Sequence, residues 1–198
     1  CNWDYDGSST GQAEGSNSEV IIKPVAIYRD PFRTKYDLLV LCDTWLPNDE
    51  PHSTNTRYSA KKIFDQGLEK EPWFGMEQEF FIMGAGTKKP VGFPLNGYPN
   101  PQGQYYCSVG SENAYGRKFL NECLDLAIKA GVRVTGSNME VCPGQVEIQV
   151  CNYGIKAGDD LIMLRYILNR TAELYDLSIN YHPKPLEGDW NGSGCHVN

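Results

Sequence analysis

Residues 73–83, "WFGMEQEFFIM", constrain the fold more than any other stretch, because they read as a buried β-strand into which two carboxylates, Glu77 and Glu79, are set. Glutamate is depleted from strands and seldom fully buried without a partner. Strand side chains alternate between faces, so Glu77 and Glu79 point the same way and their charges repel. A bound divalent cation beside them is the economical way to neutralise such a pair.

Composition narrows the classes of function. A chain of 198 residues, 40% hydrophobic and 22% charged, has the make-up of one large or two small soluble globular domains. A net charge of −7 and the lack of any Lys/Arg-rich run argue against nucleic acid and against an anionic membrane surface as partners. No uninterrupted apolar run approaches the roughly 18 residues of a spanning helix, and "CNWDYDGSST" resembles neither a signal nor a transit peptide. Seven scattered cysteines without a CxxC pair point to reduced thiols, neither a disulfide framework nor a zinc cluster. The glycosylation sequons at Asn169 and Asn191 are read as chance. Both ends of the sequence are abrupt, as expected of an internal piece of a longer protein.

The predicted class is α+β. Short extended runs up to about residue 45 ("EVIIKPVAIY", "DLLVLC") suggest a small antiparallel sheet. The polar, Pro-containing "DTWLPNDEPHST" places a domain boundary near residue 50, followed by a helix capped at Thr54 or Asn55 with Ala60, Ile63, Phe64 and Leu68 on one side. After the glutamate strand, "GAGTKKPVGFPLNGYPNPQGQYYCSVG" has no helical period and is expected to be an ordered functional loop or hairpin. Phe119, Leu120, Cys123, Leu124, Ala127 and Ala130 predict a helix that stops at Gly131. A last helix is expected from about Asp159 to Asp176, with Leu161, Leu164, Ile167, Leu168 and Leu174 on its apolar face.

A second acidic pair, Glu140 and Glu147 in "NMEVCPGQVEIQV", flanks a Pro143-Gly144 turn. If that turn folds the chain back, both carboxylates reach one point, which the strand of Glu77 and Glu79 can also approach. Four converging glutamates raise one another's pKa values unless they ligate hard cations such as Mg²⁺ or Mn²⁺. Either pair alone is better explained as solvent-facing positions of an antiparallel sheet. His196 lies in "GDWNGSGCHVN", too rich in Gly and Asn for a helix or regular strand, and beside a carboxylate cluster it becomes a credible mixed O/N ligand. Gly188, Gly192 and Gly194 there would let backbone N–H groups approach an anion. Asp6, Ser8, Ser9 and Thr10 have the ordinary make-up of a surface turn, although an exposed aspartate can also bind an ammonium ion.

The ordered strings "YDGSST", "EGSNSE", "RDPFR", "WFGMEQE", "GFPLNGYPNPQGQYYCSVG", "AYGR" and "PKPLEGDWNGSGCH" closely resemble eukaryotic-type glutamine synthetase over essentially all 198 residues. That resemblance implies a small β-grasp domain, represented by residues 1–50, and the first half of a catalytic domain with a curved antiparallel sheet, residues 51–198. It implies ATP-dependent ligation of ammonia to glutamate through a γ-glutamyl phosphate.

Carried over by motif, Glu79, Glu140 and Glu147 hold the metal nearer glutamate and ammonium, and Glu77 and His196 the metal that meets the ATP phosphates. Asn191 and Gly192 match the grip on substrate glutamate. Asn198, with Glu77 and Glu147, matches the nucleotide site. Asp6 matches the aspartate that binds and deprotonates ammonium, with Ser9 beside it, acting on the neighbouring subunit's site. The resemblance further implies two or three Mg²⁺ or Mn²⁺ ions per site, a ring homo-oligomer of two stacked five-membered rings, and a cytoplasmic enzyme, a plastid form with a removed leader being the alternative. The sequence departs from the family at Val146, where tryptophan is usual, and at Cys151, Asn152 and Tyr153, where a Gly-Pro turn is usual. Two alternatives follow: a catalytically silent structural relative, or a ligase joining glutamate to a larger amine. The family's arginine clamp and flap match nothing up to Asn198, so the 198 residues alone are expected to make no glutamine.

Overall fold

The computed structural model describes residues 3–198, the side chain of Leu68 apart. Cys1, counted among the thiols above, lies outside the described residues, as does the place of Leu68 on a helix face. Two antiparallel sheets organise the chain. Strands β1 (Trp3–Asp6), β2 (Glu19–Arg29) and β3 (Leu38–Trp45) form the first, in that order. β2 is rich in β-branched residues, and a register shift between Pro24 and Ala26 lets it carry a proline that cannot donate to the ladder.

The second sheet is ordered β5 (Val134–Met139), β6 (Gln145–Tyr153), β4 (Trp73–Gly84), β7 (Leu177–Asn180), with β8 (Cys195–Val197) pairing on the first part of β4. Its central strand is the glutamate-bearing run. Strand alternation gives the sheet two unlike faces. Phe80 and Ile82 of β4 and Val146, Ile148 and Val150 of β6 enter a core with helices α2 (Arg117–Ala130) and α3 (Ile155–Leu174). Glu77, Glu79 and Phe81, with Gln145, Glu147 and Gln149, take the opposite face. There Phe81, Met83 and Cys142 pack against Phe93, Leu186 and Trp190 from the long loops.

α2 stops where predicted, with Gly131 closing it at φ 97°, and Phe119, Leu120, Cys123, Ala127 and Ala130 are buried as expected, whereas Leu124 is only partly buried and Leu126 packs against the core. α1 (Thr56–Phe64) is capped by Asn55, whose side chain accepts from the Tyr58 N–H, but it is shorter than expected and follows a different face. Ile63 is 70% exposed, and after Phe64 the chain tightens into a 3₁₀ turn over Asp65–Lys70, with Gly67 outside helical geometry. α3 begins at Ile155, ahead of the expected start, because Gly154 (φ 56°) turns β6 straight into it, and its Leu174 is exposed rather than on the apolar face. His196, expected in irregular chain, sits in β8, where pairing with β4 supplies the backbone partners that its own sequence does not advertise.

The first turns of α3 bury two aspartates. Asp159 takes a bidentate pair of bonds from Arg57 at 2.8 Å each, joining α1 to α3. Asp160 accepts from the Tyr28 hydroxyl at 2.9 Å, the Asn152 amide at 2.9 Å and the Arg133 N–H at 3.2 Å, joining β2 of the small sheet to the helix. Burial, followed by the Asp160 charge, drives the Tyr28 phenol far up, so it stays a donor. All six described cysteines are free, and no helix among the described residues is long and apolar enough to cross a membrane.

Replacing Asp160 by Ala strands three donors at once, the buried Tyr28 hydroxyl and the partly buried Asn152 amide and Arg133 N–H. Urea unfolding is expected to show a loss of about 3 kcal/mol; a loss under about 1 kcal/mol would contradict the bridging role.

Candidate metal and substrate site

Antiparallel pairing sets Glu79 directly opposite Glu147 on neighbouring strands, on the same face. Glu140 is brought in by the turn that joins β5 to β6: its N–H donates to the Gln145 carbonyl at 2.9 Å, and Gln145 N–H to the Cys142 carbonyl at 3.0 Å. Gly144 makes the turn at φ 76°, and a side chain there would meet the Val91 carbonyl at 2.4 Å, so only glycine fits. One ligand atom from each of Glu79, Glu140 and Glu147 then lies within 4.8 Å of the others, and all three residues are buried.

Each carboxylate is oriented by a donor and keeps lone pairs free. Glu79 accepts from the Gly194 N–H at 2.8 Å. Glu140 accepts from the Val141 N–H at 3.0 Å and the Asn138 amide at 3.1 Å, and Glu147 from the Gln149 amide at 2.6 Å. Among the described residues no Lys or Arg pairs with any of them. Burial first, and then the neighbouring glutamates, push the Glu140 and Glu147 carboxyls above their ordinary range. Buried carboxylates that no Lys or Arg pairs with, presenting hard oxygen donors, form a donor set that fits a divalent cation.

Glu77 stands apart from this trio, so the four carboxylates do not meet at one point. It is half-buried and lies opposite His196 across the β4–β8 ladder. The His196 Nδ1 is 3.5 Å from Glu77 and 3.6 Å from Glu79, between the two strand glutamates. Asn198 donates to Glu77 at 2.9 Å, while its backbone pairs both ways with Gly75. Glu77, His196 and Asn198 therefore form a second, more open group beside the trio.

Asn191 and Gly192 lie at the edge of the site on the 188–194 loop. The Asn191 amide donates to Gln145 Oε1 at 3.0 Å, and the Gly192 carbonyl accepts from Gln145 Nε2 at 2.8 Å. A side chain at Gly192 would meet the Pro183 carbonyl at 2.6 Å. The expectation that these loop glycines offer their N–H groups to an anion fails at Gly194, whose N–H already serves Glu79. Asp6 and Ser9 are not brought to the glutamates within one chain: Asp6 is fully exposed, caps a 3₁₀ turn, and accepts from Ser8 and Ser9.

A separate cavity of about 670 Å³ is lined by Leu41, Phe64, Phe74, Met76 and Ile155 and holds none of the five metal-ligand candidates. Met76 belongs to the helix-covered face of β4, so the cavity and the carboxylates are on opposite sides of the sheet.

Residues 52–198 match the family model for the glutamine synthetase catalytic domain. The chain belongs to the glutamine synthetase family. It is 48% identical to a glutamine synthetase cytosolic isozyme 2 of Vitis vinifera, with 99% of this chain and 56% of the relative aligned. Identity is 50% to a putative glutamine synthetase of Acanthamoeba polyphaga mimivirus (99% and 55% covered) and 48% to a glutamine synthetase of Panulirus argus (99% and 54% covered). The chain thus spans a little over half the length of these curated relatives. For a glutamine synthetase, three contributors to the site went unread in the sequence: Gln145 and Gln149, which alternate with Glu147 along one face of β6, and Asn138, next to Glu140. The period of two in "GQVEIQV" was the signal available.

Because the folded pKa values of Glu140 and Glu147 lie above the ordinary 4.5, the folded state holds these protons longer than the unfolded chain does. Their contribution to stability is therefore present below about pH 4.5 and is lost as pH rises through the raised values. Melting curves in a chelator are expected to show Glu140→Gln gaining stability over the unsubstituted protein as pH rises from 4.5 to 7; a constant difference across that range would contradict the shift.

Proposed function

We propose that the full natural chain ligates ammonia to glutamate with ATP, by way of a γ-glutamyl phosphate. The observation that carries this reading is the buried trio Glu79, Glu140 and Glu147, a donor set that no described Lys or Arg neutralises, in a member of the glutamine synthetase family. In this reading the trio holds the Mg²⁺ or Mn²⁺ nearer glutamate and ammonium. Glu77 and His196 hold the one that meets the ATP phosphates, with Asn198 and Glu147 contributing to the nucleotide site. When bound, two or three such ions neutralise the charge that develops as the γ-phosphoryl group moves to the substrate carboxylate.

The chain's own residues do the rest by position. Asn191 and Gly192 grip glutamate at the edge of the trio, so its reacting carboxylate is presented to the metal ligands. Asp6 works on the neighbouring subunit's site. Hydrogen bonds from the Ser8 hydroxyl and N–H hold its carboxyl below the ordinary range, so it remains an anion that attracts ammonium and can accept its proton, with Ser9 beside it. That division of labour requires an oligomer, here a ring homo-oligomer of two stacked five-membered rings. Residues 1–50 form part of a β-grasp domain and 51–198 part of the catalytic domain, and the protein works in the cytoplasm.

The test is glutamine formation by the purified full natural chain. Product is expected only with glutamate, ammonia, ATP and Mg²⁺ or Mn²⁺ together, and Glu147→Gln is expected to lower kcat by about a hundredfold or more. Failure of the unsubstituted chain to form glutamine, or full activity in Glu147→Gln, would overturn the reading.

A further inference from the structure

We infer that Gln145 is a positioning residue for the amino-acid substrate: its buried amide holds the 188–194 loop against the turn that carries Glu140. The inference rests on the reading of Asn191 and Gly192 as the glutamate grip. Gln145 is 1% exposed, on the helix-free face of the sheet, two residues before Glu147. Its amide uses its full hydrogen-bonding capacity on two segments, the adjoining turn at Cys142 and the loop 46–48 residues further on. Oε1 accepts from the Asn191 amide at 3.0 Å and from the Cys142 N–H at 3.3 Å. Nε2 donates to the Gly192 carbonyl at 2.8 Å and to the Ser193 hydroxyl at 3.4 Å.

An amide offers two donors and two acceptor lone pairs, so all four are spent and the side chain has one orientation. That orientation is passed on to Asn191. Its nitrogen is committed to Gln145, which fixes the direction of its amide plane, and its backbone N–H is committed to Gln102 Oε1 at 2.7 Å. The Gly192 carbonyl is fixed in the same way. The side chain thus sets the distance between the loop residues and the carboxylate trio without ligating a metal or touching the nucleotide group of Glu77, His196 and Asn198. Misplacing a substrate-positioning group by an ångström weakens binding or orientation of that substrate alone.

The test compares Gln145→Met, similar in length but unable to make any of the four bonds, with the unsubstituted protein in the full natural chain. Expected are a KM for glutamate raised about tenfold or more, a KM for ATP and a half-saturating Mg²⁺ concentration within about twofold, and a kcat within about threefold. A merely structural role scales activity down with the folded fraction and leaves every KM where it was. Should Gln145→Met fail to fold, the isosteric Gln145→Glu, which keeps the acceptors and loses the donation to Gly192, is read by the same constants. An unchanged KM for glutamate in a folded variant, or a Mg²⁺ requirement that shifts with it, would overturn the inference. Lack of glutamine formation by the unsubstituted chain is a different result, which would overturn the functional reading and this inference with it.

Discussion

Three carboxylates of like sign lie buried with ligand atoms within 4.8 Å of one another, and the surrounding fold has to resist their repulsion. Two are fixed by register, since Glu79 and Glu147 are cross-strand partners in the middle of the sheet, and a slip of one residue would send either to the opposite face. The third depends on a turn that only a glycine at 144 allows. The backbone ladder therefore pre-organises the group, and the backbone N–H groups of Gly194 and Val141, with the side-chain amides of Asn138 and Gln149, only orient it.

A sheet with two unlike faces makes this affordable. On one face Phe80, Ile82, Val146, Ile148 and Val150 pack against α2 and α3, and burial of each such side chain contributes roughly 1.5–3 kcal/mol. The opposite face of the same strands is left to carboxylates and amides. The polar bridge from Tyr28 and Arg57 to Asp160 and Asp159 ties the small sheet and α1 to α3, so the part of the chain that carries Asp6 is held at a defined place relative to the catalytic sheet.

Much of the site was legible because its residues are anomalies. Two glutamates in an aromatic strand, and two more about a Pro-Gly turn, violate the usual preferences of strands and so announce themselves. α2 was legible from period and stop signal. α1 was overextended because Ile63 continues the apolar period while facing solvent. α3 starts four residues ahead of its apolar pattern because Gly154 turns β6 straight into it, and the stretch Ile155–Gly158, with a lysine and a glycine, carries no apolar period of its own. His196 reads as irregular chain in the sequence because the strand it joins is imposed by β4, not by local propensity. Gln145 was invisible for a related reason: a glutamine two residues from a glutamate says nothing of a partner 46 positions on.

The central claim is that the trio is a divalent-cation site, and a titration of Mn²⁺ into this chain followed by electron paramagnetic resonance tests it most directly. The free-ion signal is expected to be suppressed saturably by the unsubstituted protein and restored when Glu79 is replaced by Gln. A signal untouched by the unsubstituted protein, or suppressed equally by the Glu79→Gln variant, would contradict the account.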